Sequence, residues 1–146
     1  MSDDRPSDGA DAADGAVPAA GGLKWNEAHF PGRAPIDAYG NGGFRFAGMS
    51  HRGSILCLPE GIHAWHVSKP AEIDAASVAL VAQSGGVELL LVGTGADIAA
   101  IPAAARDHLR AAGVRVEVMA TGAAARTFNV LMGEGRAVAA ALLAVD

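Results

Sequence analysis

The sequence has one cysteine, few aromatic residues and no excess of basic charge. A single cysteine, Cys57, excludes an internal disulfide framework and is typical of a reducing compartment. Because no basic cluster stands out, the chain lacks the electrostatic basis for binding nucleic acid. No apolar run reaches the roughly 18 residues that a transmembrane helix needs, so we expect no membrane insertion.

The acidic charge is concentrated in the first 22 residues. This segment carries five Asp and one Arg, a net charge of −4, whereas the whole chain carries −5. It contains little apolar surface to bury, so we expect a disordered tail over residues 1–22. It has neither the basic start and apolar core of a secretory signal nor the arginines of a mitochondrial presequence. These features predict a cytoplasmic protein.

Residues 23–146 are enough for one domain with a hydrophobic core. A loop-rich lead-in is expected before ordered structure begins at about Ile36. In the first half, short apolar or alternating segments are separated by Gly, Asn and Pro, a pattern that is typical of antiparallel strands. The predicted strands lie at 44–47, 54–58 and 62–67.

In the second half, predicted helices alternate with buried strands. Asp74 is expected to cap a helix over 75–83, and Thr121 is expected to cap a later helix that ends near Gly135. The predicted β-α-β-α-β order favours parallel strands joined by right-handed crossovers. The direction of the last strand stays open. The remaining predicted elements are strands at 87–92, 114–119 and 137–145 and a helix at 102–112.

Two strand-to-helix turns in this half carry polar residues. Open α/β sheets bind ligands at the carboxyl ends of their strands, where both turns lie. Backbone N–H groups and a helix N-terminus would favour an anion there. The residues of this candidate ligand crevice are Gly93, Thr94, Gly95, Thr121, Arg126, Thr127 and Asn129.

The alternative interpretation of these turns is purely structural, and we favour it. The segment that starts at Gly93 lacks the third glycine of a dinucleotide-binding fingerprint, because Ile98 occupies that position. Thr121 is then a helix cap and Asn129 satisfies nearby backbone groups. A helical wheel places Arg126 opposite Phe128, on the surface.

The sequence contains no complete catalytic set. The G-x-S-x-G nucleophile elbow is absent, and Cys57 lies in a strand-like run where a buried, unreactive side chain is expected. His63 and His66 fall on opposite faces of a predicted strand, and the other histidines share no ligand spacing with them. We therefore predict no catalytic residues, no metal site and no cofactor.

Several segments, taken in order and spacing, resemble the family of NADH:ubiquinone oxidoreductase complex assembly factor 3. This family also includes an adipogenesis-associated Mth-type domain protein, and its prokaryotic relatives carry a domain of unknown function. The resemblance extends from about residue 36 to the C-terminus. The matching segments are Ile36-Asp-Ala-Tyr39, Gly43-Phe44, Leu58-Pro59, Trp65-His-Val67, Val92-Gly-Thr-Gly95, Gly113-Val-Arg-Val-Glu-Val-Met-Ala-Thr121, Thr127-Phe-Asn129 and Glu134-Gly-Arg136.

The resemblance implies a three-layer α/β domain around a mixed central β-sheet. The alanine-rich sequence and the missing presequence indicate a bacterial homologue. Mitochondrial members assist the assembly of respiratory complex I, and the family has no established catalytic residues. The leading hypothesis is therefore a non-enzymatic interaction or assembly protein whose partner is another protein, such as a respiratory or membrane-complex subunit. The alternatives are a binding protein or enzyme that holds a small anionic ligand in the crevice, and a structural homo-oligomer.

Overall fold

The computed structural model describes residues 30–146. The predicted acidic tail, residues 1–22, and the lead-in up to residue 29 lie outside this range. Across the described part of the chain, strands dominate the first half and alternate with helices in the second.

The first half is antiparallel, as predicted. The strands are β1 (Phe30–Pro31), β2 (Ile36–Gly40), β3 (Gly43–Phe46), β4 (Met49–Arg52), β5 (Ser54–Leu58) and β6 (Gly61–Trp65). β2, β3 and β4 form a separate three-stranded sheet, while β5 and β6 form a hairpin in the main sheet. Three strands were not predicted: β1 has only two residues, β2 lies where only the start of ordered structure was expected, and β4 has one buried side chain, the polar His51.

The second half has the predicted order of helices and strands. It follows two short 3₁₀ turns, Pro70–Glu72 and Ala76–Val78. The helices are α1 (Ala79–Ser84), α2 (Ala103–Ala111) and α3 (Thr121–Gly133), and the strands are β7 (Leu89–Gly93), β8 (Arg115–Met119) and β9 (Val138–Leu142).

The main sheet is mixed, with strand order β1-β6-β5-β9-β7-β8. β7 runs parallel to β8 and β9, whereas β9 runs antiparallel to β5. The last strand is therefore parallel to the strands of the β-α-β units and joins them to the antiparallel hairpin. Its five residues, Val138-Ala-Ala-Ala-Leu142, are all buried, as expected for a central strand covered on both faces.

Two hydrophobic clusters cover the two faces of the main sheet. Leu90 and Val92 of β7 point to the cluster that includes residues of α1 and α2. Leu89 and Leu91 point to the other cluster, which includes residues of α3 and of the three-stranded sheet. Alternate side chains of a strand point to opposite faces, so one strand supplies both clusters. The predicted three-layer α/β architecture around a mixed sheet is confirmed.

Two helix caps differ from the prediction. The Asp74 Oδ1 atom accepts a hydrogen bond from the Ser77 N–H at 2.8 Å, so Asp74 bonds to the 3₁₀ turn that precedes α1, and the N-cap residue of that turn is Ala75. The predicted cap at Thr121 is wrong: α3 begins at Thr121 itself, and the N-cap residue is Ala120, whose side chain forms no capping hydrogen bond. The Thr121 hydroxyl instead forms hydrogen bonds with residues that follow two strands, Gly95 after β7 and Leu143 after β9.

Candidate functional site

Thr121 joins three segments near the carboxyl end of β7. Its side chain is fully buried. The hydroxyl donates a hydrogen bond to the Leu143 carbonyl at 2.8 Å and accepts one from the Gly95 N–H at 2.9 Å. The Thr121 N–H in turn donates to the Gly95 carbonyl at 2.8 Å. Each polar group of Thr121 that could face a ligand at this turn is therefore bonded within the protein.

Gly93, the last residue of β7, allows the start of α3 to approach this strand closely. A Cβ at Gly93 would lie 2.8 Å from the Thr121 Cα and 3.1 Å from a methyl carbon of Leu142. Real side chains are rarely found so close to a backbone atom, so the packing requires glycine at this position. The space between this turn and α3 is filled by protein.

Thr94 organises the loop between β7 and α2. Its side chain is buried, and its hydroxyl oxygen accepts a hydrogen bond from the Ala99 N–H at 2.9 Å. The hydroxyl donates to the Asp97 carbonyl at 2.9 Å. As at Thr121, the polar atoms serve the local backbone. A ligand crevice at these turns stays a prediction.

Arg126 and Asn129 lie instead along a groove between β2 and α3, which has a volume of about 270 Å³. This groove does not include the three residues of the Gly93–Gly95 turn, and Thr127 lies outside its lining. We refer to it as the β2–α3 groove. Its lining residues are Ile36, Asp37, Ala38, Tyr39, Gly122, Ala125, Arg126 and Asn129.

Asn129 fastens α3 to β2 at one end of the groove. Its Oδ1 atom accepts a hydrogen bond from the Ile36 N–H at 2.8 Å, and its Nδ2 atom donates to the Ile36 carbonyl at 2.8 Å. The side-chain amide thus takes the place of a neighbouring strand at this edge. We expected Asn129 to satisfy nearby backbone, but the backbone that it satisfies is 93 residues away in sequence.

Tyr39 lies against α3 at Gly122. A Cβ at Gly122 would overlap the Tyr39 hydroxyl oxygen and would lie 2.8 Å from the Cζ atom of the ring. The Nη1 atom of Arg126 lies 3.4 Å from the same Cβ position. Glycine near the start of the helix therefore leaves room for the Tyr39 phenol, and the Arg126 guanidinium lies near the same point at the rim of the groove.

The rim is polar and the floor is apolar. Arg126 and Asp37 are exposed side chains of opposite charge, whereas Ile36 and Ala125 are buried. Within residues 30–146, Arg126 forms no ion pair. Val130, one helical turn after Arg126, leaves 59% of its surface exposed. Such an open groove can hold part of a protein chain or a small anion, which the Arg126 guanidinium would bind.

Sequence reasoning missed Tyr39, Asp37 and Gly122 as site residues. The only local signal was glycine near the start of a helix, where it lowers helix stability relative to alanine by roughly 0.5–1 kcal/mol. Glycine is needed at position 122 because the Tyr39 ring, on a strand more than 80 residues earlier, occupies the space that a side chain would take. No periodicity in the sequence indicates which helix a strand will approach.

Chemistry elsewhere in the molecule is limited. Cys57 is buried on β5, and burial raises the pKa of its thiol well above the usual range, which disfavours the reactive thiolate. Within residues 30–146, no three His, Cys, Asp or Glu side chains are grouped so that they could hold a metal ion. None of the helices in this range is long and apolar enough to cross a membrane.

Comparison with known proteins identifies the family. The sequence profile of the family described as "Protein of unknown function (DUF498/DUF598)" matches residues 36–143, about three quarters of the chain. The chain belongs to this family. The match covers β2 to the end of β9 and therefore includes the whole β2–α3 groove.

The chain is similar to proteins of bacteria and of vertebrates. An uncharacterised protein of Rhodobacter capsulatus is 48% identical over 117 residues, covering 80% of this chain and 90% of the relative. NADH dehydrogenase [ubiquinone] 1 alpha subcomplex assembly factor 3 of mouse is 32% identical over 118 residues. That match covers 80% of this chain but only 64% of the mouse protein. The resemblance to assembly factor 3 is confirmed.

Solved structures of related proteins share the fold. The crystal structure of an outer membrane protein from Bartonella henselae is 51% identical, with a TM-score of 0.73, and covers 80% of this chain and 99% of its own. The Mth938-like domain protein of Bordetella pertussis is 34% identical, with a TM-score of 0.63, and covers 75% and 85% of the two chains. The predicted relation to Mth-type domains is therefore confirmed.

Proposed function

We propose that the chain is a non-enzymatic interaction or assembly protein that acts in the bacterial cytoplasm and binds its partner in the β2–α3 groove. The family relation to an assembly factor supports a protein partner. The observation that carries the location is the groove itself, an open surface of about 270 Å³ with an apolar floor and a charged rim. A subunit of a respiratory or membrane complex is the partner class that we favour.

The side chains around the groove suit a protein partner. Tyr39 is 45% exposed and Val130 is 59% exposed, and Arg126 stands between them with no ion pair in the described part of the chain. Tyrosine and arginine are enriched among the residues that contribute most to protein–protein affinity. An extended segment of the partner could place an apolar side chain over Ala125 and a carboxylate against Arg126.

Co-purification from the native cells tests this proposal. The tagged wild-type chain is compared with the double variant Tyr39→Ala/Arg126→Ala and with Arg110→Ala, in quantitative mass spectrometry. Arg110 is an exposed arginine on α2, in the opposite layer, and serves as the matched control. We expect a reproducible partner that is lost with the double variant and kept with the control. A partner set that is the same for all three proteins would overturn the proposal.

A second candidate function is the binding of a small anion in the same groove. It is favoured by the Arg126 guanidinium, which has no carboxylate partner within residues 30–146, next to the side-chain amide of Asn129. A volume of about 270 Å³ is near the lower end of ligand pockets, which span roughly 300–1,000 Å³. The anion would be bound by a charge-assisted hydrogen bond.

Thermal-shift measurements separate this candidate from the first. Phosphate, nucleotides, sugar phosphates and dicarboxylic acids are the probes. A ligand present at about one hundred times its dissociation constant stabilises the folded state by roughly 2.7 kcal/mol, which is a readable shift. The expected result is stabilisation that Arg126→Ala abolishes and Arg110→Ala keeps. No shift with any probe would exclude anion binding of useful affinity.

A further inference from the structure

β8 lies at the end of the six-stranded sheet, and within residues 30–146 it pairs only with β7. The Arg115 N–H donates to the Glu88 carbonyl, and the Met119 carbonyl accepts from the Thr94 N–H, both at 2.9 Å. Backbone groups of alternate residues in a strand point to the same edge. The N–H and C=O groups of Val116 and Val118 therefore point away from β7, towards the outer edge.

This outer edge is open in the described part of the chain, because no strand within residues 30–146 pairs with it. Val116 and Val118 are half-buried and pack on the cluster on the α1 and α2 side. Arg115 and Glu117 lie on the other face of the strand, and both are exposed. Within residues 30–146 neither forms an ion pair.

We propose that β8 pairs antiparallel with β8 of a second copy of this chain, with the two-fold axis at Val116. In this register Val116 exchanges two backbone hydrogen bonds with the partner's Val116. Arg115 lies opposite the partner's Glu117, and Glu117 lies opposite the partner's Arg115. The two six-stranded sheets then form one continuous sheet across the dimer.

The order of charges along β8 selects this register. Two-fold pairing centred on Glu117 would place this carboxylate opposite the partner's Glu117, which is a repulsive contact. Pairing centred on Val118 would leave Arg115 opposite the partner's Thr121 and Glu117 opposite the partner's Met119. Only the axis at Val116 pairs both charges with opposite charges, and two-fold symmetry makes each such contact twice.

The same charges explain why the edge would accept its own copy rather than any strand. Charged side chains on edge strands normally prevent association. Arg115 and Glu117 repel a strand whose charges do not match theirs. In an identical antiparallel strand, each of them lies opposite a residue of opposite charge. The contact along five residues is smaller than a standard interface of about 1,600 Å², so we expect a weak dimer whose population depends on concentration.

Sedimentation analysis of the full chain over a wide concentration range tests the proposal. Arg115→Glu and Glu117→Arg each replace both attractive pairs by repulsive ones, so each is expected to raise the dimer dissociation constant at least tenfold. The double variant R115E/E117R restores opposite charges and is expected to restore the dimer. An equimolar mixture of the two single variants is expected to form a heterodimer. Arg110→Glu, a charge reversal on α2, is the matched control.

Disulfide cross-linking is a second test of the dimer, and it does not depend on charge repulsion. Opposed residues that do not exchange backbone hydrogen bonds have Cα atoms about 4.5 Å apart, which is within the range of disulfide bonds. A chain with Arg115→Cys, mixed with a chain with Glu117→Cys under mild oxidation, is therefore expected to give a cross-linked dimer of the two chains. Each variant alone is expected to cross-link far less.

Two results would overturn the proposal. One is a chain that stays monomeric at about millimolar concentration. The other is a dimer whose dissociation constant is unchanged by both single charge reversals, or is not restored by the double variant. The β8 edge is separate from the β2–α3 groove, so loss of the dimer and loss of partner binding in the groove are measured with different variants.

Discussion

The side-chain amide of Asn129 on α3 forms two hydrogen bonds with the backbone of Ile36 on β2, each 2.8 Å long. This contact links the three-stranded sheet to the helix that packs on the main sheet. It also sets one end of the β2–α3 groove. The geometry of the proposed binding surface therefore depends on a polar contact between two elements that are distant in sequence.

Replacing Asn129 by alanine should loosen this link. The variant leaves the Ile36 N–H and C=O without their partner, and we expect the free energy of unfolding to fall by about 1–3 kcal/mol. Urea denaturation monitored by circular dichroism measures the change. Thr127→Ala on the same helix is the control and should change stability by less than about 0.5 kcal/mol. Equal effects of the two variants would contradict the role of the amide.

The contribution of Thr121 to the free energy of unfolding should depend on its hydroxyl more than on the shape of its side chain. Thr121→Val keeps the volume but leaves the Leu143 carbonyl and the Gly95 N–H without a partner in a buried site. We expect a loss of about 2–3 kcal/mol in unfolding free energy. Thr121→Ser keeps the hydroxyl and removes one methyl group, so about 1 kcal/mol is expected. If serine is as destabilising as valine, the hydrogen bonds are not the cause.

Gly93 and Gly133 offer a matched pair of glycine substitutions. A Cβ at position 93 would lie 2.8 Å from the Thr121 Cα, whereas one at position 133 would have no atom of another element within 4 Å in the described part of the chain. Gly93→Ala should therefore destabilise by about 1–3 kcal/mol through overpacking. Gly133→Ala, at the end of α3, should be neutral or stabilise by up to about 1 kcal/mol. Thermal unfolding measures the stability of both variants. A Gly133→Ala variant that is less stable than Gly93→Ala would contradict the packing described.

Cys57 should be unreactive in the folded protein. Burial raises the pKa of its thiol and blocks access, so a thiol reagent such as Ellman's reagent should label it only through unfolding. At pH 8 we expect negligible reaction in buffer and rapid, complete reaction in denaturant. Rapid labelling of the native protein would show that β5 is not covered as described.

The sequence patterns predicted much of the fold because they are local. The helical spacing of the apolar residues of α3 and the continuous apolar run of β7 both indicate burial directly, and each element lies where it was predicted. The direction of β9 could not be predicted, because its neighbours β5 and β7 impose opposite directions of pairing. Strand direction is a tertiary property that periodicity does not carry.

The site was harder to predict than the fold. Thr121 has the residue type and position of a helix cap, yet its hydroxyl bonds to Leu143 and Gly95, which reach it only after the sheet has formed. Tyr39 ends a segment that resembles the family, but the resemblance assigns it no role, and its contact with Gly122 exists because β2 lies against α3. The sequence therefore predicted the polar residues near the strand ends, but it predicted neither their hydrogen-bond partners nor the groove.

Photo-cross-linking in native cells tests the central claim, that a partner protein binds in the β2–α3 groove. A photoreactive amino acid is placed at Val130, beside the groove, or at Ile98, in the loop after β7, where the native side chains are 59% and 66% exposed. We predict that position 130 cross-links to one reproducible partner and that position 98 does not. Cross-links from position 98 alone, or from neither position, would contradict the account.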